Sequence, residues 1–200
     1  MKRIAGCIML CLFMLQIGAA VYAQNNGMKD MMTTIHSRKS VRSFTGAPVT
    51  KADLETIVRA GMAAPTAVNM QPWSFVVVTD RKKLDVLAAK LPYAKMLSKA
   101  GAAIIVCTEP KKAYGESRSF ALMDASCASE NILLSIEAIG LGGVWTAAYP
   151  VEDRMKIIRE TLNIPDDVLP INVIPVGHPT GADKPKDKYK KEKIHWENWQ

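Results

Sequence analysis

The stretch from Ser119 to Ile139 constrains this chain most. It reads as one long helix surrounded almost completely by apolar residues, with Asp124, Glu130, Asn131 and Glu137 as the interruptions. A helix apolar all round has to be buried, either centrally or in a subunit interface. Gly140-Leu141-Gly142-Gly143 stops it, since glycine takes up the turn that closes a helix at little steric cost. Whatever covers such a helix must be apolar as well. Two runs offer that surface: Trp73 to Thr79, apolar on both faces toward its end, and Ala102 to Thr108. Strands of this kind belong inside a sheet covered on both sides.

The remaining elements follow from period and punctuation. Leu54, Ile57, Val58 and Gly61 recur at helical spacing, so Lys51 to Met62 is predicted as an amphipathic helix, opened by the capping-type Thr50-Lys51-Ala52-Asp53. Met28 to His36 reads as a short helix with Met31, Met32 and Ile35 on one side. Asp80 starts a helix through Lys90, Pro92 begins a short one ending near Gly101, and Pro150 opens one through Leu162. Val144 to Tyr149 looks extended, and Ile171 to Gly177 is a last strand. Its internal Pro175 argues for an edge or bulged position. With 48% hydrophobic residues in 200, the chain can bury one sizeable core. No repeat or second domain is visible, and helices interleave with strands around one sheet.

The N-terminus reads as a targeting segment. Lys2 and Arg3 precede an apolar run from Ile4 to Ile17, and Val21-Tyr22-Ala23 offers a peptidase site before Gln24. The run is short for a membrane span. Residues 1–23 are therefore expected to be a signal peptide, residues 24–200 the single domain, and the protein exported to the periplasm. Left uncleaved, the segment would be a membrane anchor. Cleavage removes Cys7 and Cys11 and leaves Cys107 and Cys127, both in apolar surroundings and expected to be buried free thiols.

Lys and Arg number 26 against 19 Asp and Glu, and much of the excess lies between Lys184 and Lys193. A basic balance suits nucleic acid, a membrane surface or an anionic small ligand alike. No aromatic-interleaved basic module supports nucleic acid, and no Cys or His spacing resembles a metal site. The tail from His178 is too polar for a core of its own. Its Ile194, Trp196 and Trp199 suggest docking, for instance onto a partner subunit.

Two stretches are candidates for a site. Arg38-Lys39-Ser40-Val41-Arg42 packs three cations into a short extended segment. Alternation places Arg38, Ser40 and Arg42 on one side and Lys39 on the other. Two guanidinium forks and a hydroxyl on one side suit a phosphate, although a solvated charged loop looks the same. Asn69 and Gln71 sit on a loop bracketed by Pro65 and Pro72. Their amides can read a heterocycle's polar edge or serve local turn chemistry. Gly140 to Gly143 is no dinucleotide fingerprint, because it follows a helix and lacks the third glycine. No Ser/His/Asp or Cys/His set and no carboxylate pair stands out, so in an enzyme a cofactor would carry the chemistry.

In combination, Arg38-Lys39-Ser40-Val41-Arg42-Ser43-Phe44, Ala64 to Trp73 with its Asn69-Met70-Gln71-Pro72-Trp73, Gly140 to Trp145 and Val176-Gly177-His178-Pro179 resemble the nitroreductase family of flavoproteins, in order and spacing over nearly all of residues 24–200. The resemblance implies an α+β, three-layer fold with a central mixed, mostly antiparallel sheet flanked by helices, and an intertwined homodimer with FMN at its interface. It implies that Arg38, Lys39, Ser40 and Arg42 hold the FMN phosphate, ribityl chain and pyrimidine edge. Asn69, assisted by Gln71, would contact the ring from the other subunit, while Val144, Trp145, Thr146 and Ala147 lie along it. Lys186 and Lys188 match the basic pair completing the phosphate site, although Lys188 stands where an arginine is usual and cannot fork. The implied reaction is ping-pong: NAD(P)H reduces the flavin and leaves, and a nitroaromatic or quinone is then reduced. An exported flavin-binding protein for storage or electron relay is the alternative.

Overall fold

The computed structural model describes residues 29–199. The segment read as a signal peptide lies outside the described residues. Helix α1 spans Met31–Ser37, α2 Lys51–Met62, α3 Arg81–Lys90, α4 Arg118–Ala138 and α5 Glu152–Leu162. Strand β1 spans Trp73–Val78, β2 Ala102–Thr108, β3 Gly142–Gly143, β4 Thr146–Ala147 and β5 Leu169–Gly177. The sheet runs β1-β2-β5-β3, with β4 also on β5. Every ladder among the described residues is antiparallel, in line with the mixed, mostly antiparallel sheet expected.

The sheet is covered on both faces, and β2 shows why. Ala103, Ile105 and Cys107 point into a cluster with Leu84 and Leu87 of α3 and Met155 and Ile158 of α5. Ala102, Ile104 and Val106 point into a second cluster with Leu54 and Ile57 of α2 and Ala125, Ile132 and Ile136 of α4. A period of two thus sends one strand into two cores, which gives the three layers. Helix α2 lies close on α4 because Gly61 carries no side chain: a Cβ there would sit 2.8 Å from Ile132 Cγ1. The α2 start follows the predicted capping, with Thr50 Oγ1 accepting from the Asp53 N–H at 3.1 Å.

Several expectations are corrected. Strand β5 is central, between β2 and β3/β4, despite Pro175. One register holds on both sides of the gap between β3 and β4, and it sets Val144 opposite Pro175. Proline has no N–H to give a ladder, and the pairing of Gly142 to Ala147 breaks at that point. The bulge on the β2 side lies elsewhere, at Ile171, between the pairs Val106–Asn172 and Cys107–Pro170. The segment after Pro92 forms only a 3-10 turn at Lys95–Ser98, and α5 begins at Glu152 rather than Pro150. Cys107 is buried but Cys127 is exposed, both as free thiols. Burial pushes the Cys107 thiol up to about 12. Cys127 lies with Met123 on an outward stripe of α4, so this apolar helix is only half covered by its own chain.

The segment after α1 is held on β3. Val41 is buried and donates its N–H to Gly143 O at 3.0 Å, and a Cβ on Gly142 would meet Val41 Cγ1 at 2.6 Å. Gly142→Val should therefore push this segment off the sheet and cost about 1–3 kcal/mol in a urea titration. Unchanged stability would contradict the packing.

Candidate functional site

The clamp stretch owes its shape to three neighbours. Helix α1 is capped by Asp30, which accepts from the Thr33 N–H at 3.0 Å, and Arg38 ends it with extended backbone. The chain then lies on β3 through Val41. Beyond it, Phe44 bridges Pro179, the Thr45 N–H donates to His178 O, and the Thr180 N–H to Ser43 O, each at 3.0 Å. The chain leaving β5 so returns beside the clamp. Asp183 fixes it there: its Oδ2 accepts the N–H of Arg42 at 3.1 Å and of Ser43 at 3.2 Å. Asp183 was missed in the sequence, where it sits at the head of a basic tail and looks solvated.

The predicted alternation holds from Ser40 to Arg42 but not at Arg38, whose side chain is 18% exposed against 20% for Lys39. Ser40 and Arg42 are exposed, Val41 is buried, and Lys39 turns inward with it. Lys39 Nζ lies 3.3 and 3.2 Å from the two carboxylate oxygens of Glu137. Glu137 is buried on α4 and also receives Ser37 Oγ at 2.9 Å and the Lys29 ammonium. Burial pushes its carboxyl up, but the hydrogen bonds from Lys29, Ser37 and Lys39 outweigh that and hold it below the ordinary glutamate range. Stripping a buried carboxylate of its cation costs roughly 3–5 kcal/mol. Arg38 is placed differently. Its Nε lies 3.2 Å from Glu130, whose side chain is 50% exposed, and such a surface pair is worth at most about 1 kcal/mol. Arg38 can exchange that partner for a ligand anion at little cost.

The Asn69 loop is anchored on the same helix. Asp124, buried on α4, accepts the Ala67 N–H at 3.0 Å through Oδ1, while its Oδ2 has no partner. The loop itself is strained: Val68, Asn69 and Gln71 have φ of 50°, 58° and 53°. Left-handed backbone costs non-glycine residues about 1–3 kcal/mol each and persists only where its surroundings impose it. Thr66 Oγ1 takes the Gln71 N–H at 3.1 Å, and Gln71 Nε2 donates to Asn69 Oδ1 at 3.1 Å. Both amides are exposed.

Val144 is buried, Trp145 half-buried, and Thr146 gives its hydroxyl to Val173 O. Ala147 is exposed, and its carbonyl accepts from Arg154 Nη1 at 3.1 Å. Lys186 and Lys188 are exposed on the tail past Asp183. Arg38 to Arg42, Gly142–Gly143 and the chain from His178 to Asp183 therefore meet at one end of the sheet, and Thr146–Ala147 lead from there to the middle of β5. Asn69 and Gln71 do not join them. They precede Trp73, which pairs with Thr108 at the far end of β2. Asp124 and Glu137, which hold the two stretches, are 13 positions apart on α4, about 20 Å at the helical rise. Among the described residues no group of His, Cys, Asp or Glu could hold a metal ion, and no helix is long and apolar enough to cross a membrane.

Comparison with known proteins follows this geometry. The model of the nitroreductase family matches residues 35–91 and 85–178. A protein of Archaeoglobus fulgidus, provisionally named NADH dehydrogenase/NAD(P)H nitroreductase, is 37% identical over 86% of this chain and 100% of its own length. A crystal structure from Parabacteroides distasonis, with the same provisional name, superposes with a TM-score of 0.80 at 46% identity, covering 86% of this chain and 99% of that one. A Desulfovibrio desulfuricans structure described as a nitroreductase in complex with FMN gives a TM-score of 0.73 at 25% identity, covering 86% and 99%. The chain belongs to the nitroreductase family.

Glu137 makes the fold sensitive to acid. Its folded-state value lies below the ordinary one, so its contribution is complete above about pH 4.3 and is lost as pH falls through the lower folded value. The urea midpoint should drop in that window, and Glu137→Gln should flatten the drop. An identical acid slope in the variant would contradict the assignment.

Proposed function

We propose that this chain is an FMN-dependent NAD(P)H oxidoreductase acting on a small acceptor such as a nitroaromatic or quinone. The observation that carries this is the stretch from Arg38 to Arg42, where Ser40 and Arg42 are exposed, Arg38 is held only by the half-exposed Glu130, and Val41 and Lys39 anchor the segment beneath. Its donor set fits a phosphate: two guanidinium forks, a hydroxyl and no competing buried partner. Lys186 and Lys188 extend this basic face. Val144 to Ala147, with Val144 and Thr146 buried and Ala147 exposed, presents a surface for a flat ring, and Asn69 and Gln71 offer amides for the ring's polar edge. FMN, when bound, would accept hydride from NAD(P)H and pass electrons to the acceptor by a ping-pong mechanism. The relatives' names support the same activity.

The site calls for two copies of the chain, since the clamp and the Asn69 loop are held at opposite ends of one. A homodimer also accounts for the apolar surface. Met31 and Met32 of α1, Met123 of α4, and Trp196 and Trp199 of the tail are exposed. Strand β1 has an unpaired edge among the described residues, next to a groove of about 550 Å³ lined by Val49, Leu54, Val58 and Val77. The N-terminal segment supports export of the mature chain from Gln24, which N-terminal sequencing of the secreted protein tests.

The purified protein should be a yellow dimer whose visible spectrum bleaches on anaerobic addition of NADH or NADPH. A colourless chain that takes up no FMN would refute the proposal, and flavin that neither nucleotide reduces would favour a carrier. Arg38→Ala should release FMN far more readily than Lys193→Ala; equal retention would count against the clamp.

A further inference from the structure

Lys39 was expected to join Arg38, Ser40 and Arg42 in holding the ligand. Its surroundings assign it differently. Lys39 and Val41 share the inward side of the extended segment. Val41 packs on Gly142, and Lys39 reaches the carboxylate of Glu137. That carboxylate is 4% exposed, and its two oxygens are unequally served. Oε1 receives Lys29, Ser37 and Lys39, whereas Oε2 receives Lys39 alone. A Lys39 that swung out to a phosphate would leave Oε2 charged, buried and without a donor. Lys29 would still pair with Oε1, but a buried acceptor left without a donor is costly. Arg38 meets no such obstacle, because its partner Glu130 stands half in water.

We propose that Glu137 is the positioning residue of the cofactor clamp. Its buried carboxylate holds Lys39 inward as an anchor rather than a phosphate ligand, and so turns Ser40 and Arg42 outward and leaves Arg38 on the exchangeable Glu130 as the anion-binding set. Lys29 is the second cation of the cluster and ties the chain entering α1 to the same carboxylate. The cluster therefore joins three parts of the sequence: the segment before α1, the clamp, and the end of α4. This rests on the reading of Arg38 to Arg42 as the FMN clamp.

The two roles for Lys39 predict opposite signs. If Glu137 positions the clamp, removing its charge loosens FMN. If Glu137 merely competes with phosphate for Lys39, removing it frees the lysine and tightens FMN. The experiment is FMN binding at neutral pH, read by quenching of flavin fluorescence, for wild type, Glu137→Gln, Lys39→Met, the double variant and Glu137→Asp. We expect Glu137→Gln to weaken binding about tenfold or more, the scale on which outer partners of metal ligands act. Lys39→Met should also weaken it, and the double variant should be no worse than Glu137→Gln alone, since the Lys39 contact is already lost there. Glu137→Asp keeps the charge and should fall between wild type and Glu137→Gln. It decides the sign if Glu137→Gln does not fold. Unchanged or tighter binding in Glu137→Gln or Glu137→Asp overturns the inference. So does a double variant whose loss is the sum of the single losses. A wild-type chain that binds no FMN overturns the reading of the site and this inference with it.

Discussion

The structure depends on one helix that carries charge where it should carry none. Helix α4 is the central apolar element, yet Asp124 and Glu137 are buried in it. Each needs at least one donor, because a buried carboxylate with none costs more than a fold of this size can spare, and Asp124 has one donor on Oδ1 and none on Oδ2. Asp124 is served by the backbone of the Asn69 loop, and Glu137 by Lys29, Ser37 and Lys39. Even the half-exposed interruptions are engaged: Glu130 pairs with Arg38, and Asn131 donates to Ala60 O at 3.1 Å. The polar breaks in the helix are the attachment points for the loops around it. Their spacing along α4 sets how far apart the two walls of the site stand within one chain.

On the proposed reading of the site, that spacing leaves a single chain incomplete. The outward stripe of α4, the methionines of α1 and the tail tryptophans leave apolar surface in water, and a groove runs beside the unpaired edge of β1. A second copy would cover these surfaces and bring its Asn69 loop to the first copy's clamp. Stability and site assembly would then come from the same association.

Much of the fold is legible in the sequence. Helix α2 matches its predicted bounds, because a cap and a 3.6-residue period both mark it. The two-sided burial of β2 follows from its unbroken apolar run. The inward turn of Lys39 follows from period two. What stays illegible is set by distant partners. Nothing near Glu137 in sequence says that cations 98 and 108 residues away will reach it. Asp183 looks solvated until the chain after β5 folds back on the clamp. Pro175 suggests an edge or bulged position, since local reading cannot foresee that the neighbouring strand breaks opposite it and that the bulge falls at Ile171. Cys127 reads as buried in the sequence because an apolar stretch does not say which of its sides the same chain covers. The left-handed Val68 has no local signal at all, and tertiary anchoring imposes it.

The central claim is that each cofactor site takes its clamp from one chain and its Asn69 loop from another. Co-expression of an Arg38→Ala chain with an Asn69→Ala chain tests it directly. If the site is shared, each mixed dimer carries one site with both lesions and one with neither. FMN content and NAD(P)H oxidation should then rise well above those of either parent. If both elements serve the same site within one chain, every site in the mixture carries one lesion. The mixture would then equal the average of its parents, and that result would contradict the account.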